Sequence, residues 1–100
     1  MRNGAGRMNM TGRGAHHTLL QIVVSRDCPT CAESRTIALE MRERFPLLQV
    51  DLIDLDAGHP VPDGVVATPT YLLDGTVISL GNPRREDLVR KLAELHPLQI

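Results

Sequence analysis

The sequence predicts an α/β domain in which a four-stranded mixed sheet is flanked by helices, with the elements in the order β-α-β and then β-β-α. Three features of the chain predict this fold. Two strand-length apolar runs enclose a segment of helical periodicity, an Asp-Gly pair separates two further strand-like runs, and helical spacing returns near the end. With 100 residues and 42% hydrophobic content, the chain has room for one compact domain.

The first half of the chain predicts strand, helix and strand. Residues 18–24 are β-branched or leucine-rich and are typical of a strand buried on both faces. Residues 29–45 have helical periodicity; Pro29 suits the first turn and Pro46 ends the helix. Residues 47–56 return to a strand pattern, and a strand–helix–strand connection gives a parallel pair. The helix face that should pack inward carries Ile37, Ala38, Met41 and Phe45.

The second half predicts a hairpin and a last helix. Residues 57–64 contain two prolines and two glycines and should form an irregular connection. Asp74-Gly75, between the runs 70–73 and 76–80, favours the positive φ angles of a tight hairpin turn. Gly81-Asn82 should form a turn and helix cap before a helix at residues 83–95. The residues of this helix that should face the core are Leu88, Leu92 and Leu95.

The composition excludes several classes of protein. Aromatic residues make up only 2% of the chain, so the core must be aliphatic. The net charge of -1 provides no basic surface for nucleic acid. No apolar run reaches the roughly 20 residues that a membrane-spanning helix needs. We therefore expect neither nucleic acid nor a membrane as a partner.

The first 17 residues differ in character from the rest of the chain. They are rich in Gly, Arg and Asn and lack the apolar segment of a secretory signal, so we expect a disordered segment at residues 1–17 and the domain at residues 18–100. Without an export signal, the expected location is cytoplasmic. In that reducing environment, an isolated C-x-x-C pair is more often catalytic or metal-binding than structural.

The only two cysteines lie in Cys28-Pro29-Thr30-Cys31, directly after the first predicted strand. This end of a strand in an α/β sheet is where sites tend to form, because helix N-termini converge there. In the first turn of the predicted helix, Cys28 would face free backbone N–H groups and the positive end of the helix dipole, which favour a thiolate. Cys31 is expected to be more buried, as suits a resolving thiol.

Other interpretations of the cysteine pair remain open. In one, both thiols are buried and inert. In another, they form half of a zinc site to which His16 and His17 add two ligands, since zinc needs four in tetrahedral geometry. A copper-delivery loop would also bind through two cysteines, although such a loop usually carries a methionine ahead of the first, where this chain has Ser25-Arg26-Asp27.

The predicted strand, the Cys28-Pro29-Thr30-Cys31 motif and the helix, joined to Ala67-Thr68-Pro69-Thr70 before the hairpin, resemble the thioredoxin and glutaredoxin superfamily over residues 18–95. The resemblance implies a thioredoxin-like fold in which Pro69 is cis and lies against the C-x-x-C motif, while Thr68 offers its backbone to the substrate. Pro29 and Thr30 would join them in binding substrate. The alternative for Pro69 is a trans proline at the start of an edge strand.

The function that this resemblance implies is that of a thiol–disulfide oxidoreductase in which Cys28 attacks and Cys31 resolves. Such a protein needs no bound cofactor and no metal beyond its dithiol, and glutathione is a candidate co-substrate. The implied partners are protein or low-molecular-weight disulfides, with a reductase as a candidate electron donor.

The chain departs from typical thioredoxins beside the motif. Asp27 stands where they have a tryptophan, and Pro29-Thr30 replaces Gly-Pro. Ile22 and Leu52 occupy the positions of the buried acid and the lysine that handle protons in that family. These departures favour the alternative function, a non-catalytic binding or redox-sensing module of thioredoxin-like fold. A metal-binding or delivery protein is a further alternative.

The Cys-Pro-x-Cys motif is closer to glutaredoxins, whose glutathione site typically has a Thr-Val-Pro, a Gly-Gly and a following aspartate. Ala67-Thr68-Pro69 and Gly81-Asn82 match the first two, and Asp87 matches the third only loosely. Arg84 and Arg85 at the start of the last helix are candidates to meet a glutathione carboxylate. The alternative is that both arginines are solvated on an exposed turn.

Overall fold

The computed structural model describes residues 18–95, which form a four-stranded mixed sheet and two α-helices. The predicted α/β class and the order of the elements are confirmed. The predicted disordered segment at residues 1–17 lies outside the described residues. Within residues 18–95, neither helix is long and apolar enough to cross a membrane. The elements are β1 Leu19–Val24, α1 Cys31–Arg44, β2 Gln49–Asp54, a 3-10 turn Leu55–Ala57, β3 Thr70–Leu73, β4 Thr76–Leu80 and α2 Arg85–Leu95.

Strand β1 lies inside the sheet, whose strand order is β2-β1-β3-β4. It pairs in parallel with β2 and antiparallel with β3, so Ile22 lies between Leu52 and Tyr71. The parallel pair follows from the long connection through α1, as predicted. Val23 and Val24, which point to opposite faces of the sheet, are both fully buried. The prediction of a strand covered on both faces is therefore confirmed.

Both helices pack on the same face of the sheet. Leu20, Ile22 and Val24 of β1 belong to one apolar cluster with the inward residues of α1 and α2. Phe45, the only phenylalanine, joins this cluster and is fully buried. The helical residues of the cluster are Cys31, Ile37, Ala38, Met41, Leu88 and Leu92.

An irregular segment, rather than a helix, lies over the opposite face. Val23 and Leu72 on that face are buried, although both helices pack on the other side. The connection between β2 and β3 approaches it so closely that a Cβ atom on Gly64 would lie 3.3 Å from Val77 Cγ2. The expected Pro/Gly-rich connection thus serves as the second layer of the domain.

Each helix begins two residues later than its proline predicts: α1 at Cys31 instead of Pro29, and α2 at Arg85 instead of Pro83. In the first case the N–H group of Cys31 donates to the carbonyl of Cys28 at 3.2 Å, which forms a turn ahead of the helix. The prediction that Leu95 faces the core is wrong, because it is the last residue of α2 and is 57% exposed.

The second strand is shorter than predicted, and the hairpin is as predicted. β2 ends at Asp54 because its carboxylate accepts the N–H of Asp56 at 2.9 Å, which starts the 3-10 turn. In the hairpin, Asp74 and Gly75 have φ angles of 50° and 87°, as the Asp-Gly pair predicts. The Asp74 carboxylate also accepts the N–H of Leu19 at 2.8 Å, so the turn is tied to the start of β1.

We expect Met41→Ala to lower the free energy of unfolding by about 2–4 kcal/mol, because it removes a fully buried side chain from the cluster beneath the sheet. Leu39→Ala on the same helix is the matched control. Leu39 is 59% exposed, so its truncation should cost less than about 0.5 kcal/mol. Urea denaturation measures both values, and equal losses would contradict the packing described here.

Candidate dithiol site

Cys28 and Cys31 form a disulfide in the connection between β1 and α1, with a sulfur–sulfur distance of 2.12 Å and a Cα–Cα distance of 5.3 Å. The two sulfurs differ in access. Cys31 is 2% exposed and belongs to the apolar core, whereas Cys28 is half-buried and packs against that core. The predicted order of burial is therefore confirmed, and Cys28 is the sulfur that a second molecule can reach.

The start of α1 provides hydrogen-bond donors near this sulfur. Cys28 precedes the helix instead of lying in its first turn, but its bond to Cys31 holds its sulfur at the first helical residue. The N–H groups of Ala32 and Glu33 have no backbone acceptor within residues 18–95. The Thr30 hydroxyl lies 3.8 Å from Cys28 Sγ. Donors of this kind and the positive end of the helix dipole both favour a thiolate in the reduced protein.

The Thr68–Pro69 peptide bond is cis, as the sequence analysis expects. The alternative of a trans proline on an edge strand is wrong, since β3 lies between β1 and β4. The pairing of Val23 with Thr70 brings this bond to the end of β1 from which the dithiol loop leaves. There Ser25 Oγ and Thr68 Oγ1 are 2.7 Å apart, which connects the two loops directly.

The prediction that Asn82 caps the last helix is wrong, because α2 begins at Arg85 and the Asn82 side chain lies in the dithiol site. The hydroxyls of Ser34 and Tyr71, both fully buried, donate to Asn82 Oδ1 at 2.6 and 2.7 Å. Its Nδ2 donates to the carbonyl of Thr30 at 2.9 Å. The sequence does contain a signal for a polar partner. Ser34 lies on the apolar face of α1 and the single tyrosine lies in a buried strand, and buried hydroxyls need hydrogen bonds.

The arginines considered for glutathione binding are paired within the protein. Arg85 donates to Glu33 at 2.6 Å and to Glu40 at 3.0 Å, so it joins α2 to α1 instead of being solvated. The hydrogen bond from Arg85 lowers the pKa of Glu40 below its usual value. Arg84 is exposed and contacts Glu86 at 3.2 Å. Asp87, the loosely matched aspartate, contacts Arg90 at 3.1 Å.

The interior next to the dithiol is apolar. Ile22 is fully buried in the cluster that contains Cys31, and Leu52 packs against the same cluster. These are the positions at which thioredoxins have an acid and a lysine. On the outer side, Asp27 is exposed, and the backbone N–H of Arg26 donates to the carboxylate of Asp56. The buried polar residues of the described chain are Thr18, Ser34 and Thr70, so its core contains no carboxylate or amine.

A cleft of about 610 Å³ lies along β2, and neither cysteine is among its lining residues. His59 lines this cleft and accepts the N–H of Asp54 at Nδ1, at 3.1 Å. In residues 18–95, no group of three or more His, Cys, Asp or Glu is placed to hold a metal ion. His16 and His17, the further ligands of the zinc alternative, lie outside the described residues.

Burial raises the pKa of the Tyr71 phenol to about 12. As the chain has one tyrosine and no tryptophan, its ultraviolet absorbance reports this single group. We expect the oxidised folded protein to ionise near pH 12 and the urea-unfolded chain near pH 10. Because the folded pKa is raised, this group contributes stability below about pH 10 that is lost as the pH rises towards 12. Titration of the folded protein at the value of the unfolded chain would contradict the burial of the phenol.

Comparisons with known proteins do not assign this chain to a family. No protein-family model matches it, and a search of curated proteins finds no similar sequence. Its function is therefore inferred from the dithiol, the cis peptide bond beside it and the residues that hold both in place.

Proposed function

We propose that this protein is a thiol–disulfide oxidoreductase of thioredoxin-like fold. One observation carries the proposal: a disulfide with one accessible and one buried sulfur lies at the carboxyl end of a central strand, next to a cis Thr68–Pro69 bond. A structural disulfide needs no accessible sulfur, and an inert pair needs no neighbouring donors. Exchange needs both, because the attacking thiolate must be stabilised and must reach its substrate.

In the proposed reaction, the reduced protein transfers two electrons to a substrate disulfide. The Cys28 thiolate attacks one substrate sulfur, forms a mixed disulfide and expels the other substrate sulfur as a thiolate. The Cys31 thiol loses its proton and attacks Cys28 Sγ, which releases the second substrate thiol and closes the Cys28–Cys31 bond. A reductase dithiol or two molecules of glutathione then return the electrons and the protons.

The residues around Cys28 support its role as the attacking group. The Thr30 hydroxyl lies 3.8 Å from its sulfur, and the amides of Ala32 and Glu33 at the start of α1 have no backbone acceptor within residues 18–95, so these groups are the candidate donors to the thiolate. Cys31 lies in the core, so a substrate meets Cys28 first. The protein requires no cofactor other than this dithiol.

The surface beside the cis bond suits an extended polypeptide as substrate. Pro29 and Thr30 of the dithiol motif are exposed, and Val66, two residues before Thr68, is 84% exposed although it is apolar. Thr68 is half-buried, and its backbone N–H and C=O groups make no backbone hydrogen bond within the described residues. We therefore propose Thr68 and Pro69 as docking residues for a protein disulfide, in the cytoplasm, with low-molecular-weight disulfides as simpler substrates.

A non-catalytic redox-sensing or binding module is the second candidate. The observation that favours it is the apolar interior, where Ile22 and Leu52 leave no side-chain base beside Cys31. Without a base, the resolving thiol loses its proton slowly, and the pair would record the redox state without rapid turnover. Reduction of insulin with thioredoxin reductase, or of a mixed disulfide with glutathione, separates the two candidates, because a sensor shows no turnover with either donor.

We expect Cys31→Ser to accumulate a mixed disulfide with a substrate or with glutathione, because the accessible sulfur still attacks and nothing resolves the product. The matched variant Cys28→Ser should not accumulate one, since its remaining sulfur is buried. Mass spectrometry of the intact protein measures both. Equal trapping by the two variants would remove the assigned roles.

Val66→Asp should lower kcat/KM for a protein disulfide by about fivefold or more, because it places a charge on the proposed apolar docking surface. The rate with a small disulfide should not change. Leu47→Asp is the control: Leu47 is 53% exposed and precedes β2, which runs parallel to β1, so it lies at the opposite end of these strands from the dithiol. An equal effect of the two variants on the protein substrate would argue against docking at Val66.

A further inference from the structure

We propose that Asn82 is a positioning residue for the dithiol, which holds the carbonyl of Thr30 so that Cys31 closes the ring onto Cys28. The inference rests on the proposed exchange function and adds a third segment to its site. That segment is the Gly81-Asn82 turn after β4, distant in sequence from the cysteines. The same turn also contacts the residue of the cis bond, because Gly81 N–H donates to the carbonyl of Pro69 at 2.8 Å.

The orientation of the Asn82 amide is fixed by its partners. A carbonyl oxygen accepts hydrogen bonds only, so the atom 2.9 Å from Thr30 O must be the NH₂ group. The oxygen on the other side then receives the hydroxyls of Ser34 and Tyr71. Since both hydroxyls are fully buried, the amide is held by rigid elements, α1 and β3, and carries that rigidity to the dithiol loop.

Asn82 provides the shortest hydrogen bond that the Thr30 carbonyl accepts. The Ser34 N–H donates to the same carbonyl at 3.4 Å, and the Ser34 hydroxyl lies 3.5 Å away, although its one hydrogen is donated to Asn82 Oδ1. Thr30 itself is exposed and stands between the turn and the first residue of α1. Without Asn82, the Thr30 carbonyl would keep only long contacts with Ser34, and the bond from Cys31 N–H to the Cys28 carbonyl at 3.2 Å would be the main restraint on the segment between the two cysteines.

This restraint matters most in the reduced protein. The disulfide itself constrains the loop in the oxidised protein, whereas in the dithiol the loop depends on hydrogen bonds alone. A loop held in the closed geometry brings the two thiols together at higher effective concentration and lowers the entropy lost on ring closure. Asn82 should therefore favour the disulfide over the dithiol, and its removal should make the protein a stronger oxidant.

The test compares two backgrounds that differ only in the amide. In Ser34→Ala/Tyr71→Phe, both buried hydroxyls are removed, and Asn82 keeps the NH₂ group that donates to the Thr30 carbonyl. Adding Asn82→Ala removes that bond without leaving a buried hydroxyl unpaired. Each protein is equilibrated with mixtures of reduced and oxidised glutathione. In this exchange the dithiol gives two electrons and two protons to oxidised glutathione, which becomes two molecules of glutathione thiol.

This equilibrium gives the ring-closure constant, which is the equilibrium constant for forming the Cys28–Cys31 disulfide from the dithiol. We expect it to fall by about three- to tenfold when Asn82→Ala is added, which corresponds to the free energy of one ordinary hydrogen bond. Equal constants in the two backgrounds would overturn the role of Asn82 while leaving the exchange function intact. No exchange with glutathione in the unmodified protein would overturn the proposed function itself. The two failures are therefore distinguishable.

Asn82→Asp in the otherwise unmodified chain provides a second comparison that does not depend on the stability of the multiple variants. Its carboxylate still accepts from Ser34 and Tyr71 but has no N–H to donate to Thr30. The ring-closure constant should again fall by about three- to tenfold. Tyr71→Phe alone keeps the amide bond to Thr30 and the Ser34 hydroxyl on Asn82 Oδ1, so it should lower the constant less than Asn82→Asp does. A fall of the same size in Tyr71→Phe would assign the effect to the packing of the core and overturn the proposal.

Discussion

The different pairing of β1 with its two neighbours determines where every part of the dithiol site lies. A parallel partner on one side requires the chain to leave β1 through a crossover, so the cysteine loop and the start of α1 follow its carboxyl end. An antiparallel partner on the other side brings the beginning of β3 to that same end. Ser25, which leads into the cysteine loop, and Thr68, which precedes the cis bond, thus become neighbours, although they are far apart in sequence.

Apolar packing and polar contacts have separate tasks in this domain. The aliphatic cluster under the sheet determines where α1 and α2 pack. It does not determine the conformation of the loops around the dithiol. Hydrogen bonds fix that conformation because they are directional. The bond between Ser25 and Thr68 joins the dithiol loop to the loop before β3, and the Asn82 amide joins the turn after β4 to the dithiol loop. Arg85 forms ion pairs with Glu33 and Glu40 and so joins α2 to α1.

Sequence patterns predicted what depends on near neighbours in the chain. The alternation of strand and helix periods, the Asp74-Gly75 turn and the order of burial of the cysteines all follow from local chemistry and are confirmed. The bonds of Asn82 could not be predicted in this way, because its partners lie on α1 and β3 and become neighbours only when the sheet forms. The exposure of Leu95 could not be predicted either, because helical spacing shows which face of a helix is apolar but not where the core beneath it ends.

The irregular layer over one face of the sheet has a consequence for how the molecule moves. Within residues 58–68, the only backbone–backbone hydrogen bond in the described part of the chain joins Val65 to Pro62, at 3.4 Å, whereas β1 is bonded along both edges. Amide hydrogens of this layer should exchange with solvent through small local openings, and those of β1 only when the whole domain unfolds. Thr68, which we propose as a docking residue, therefore belongs to a compliant segment, whereas β1, which leads into the dithiol, is rigid.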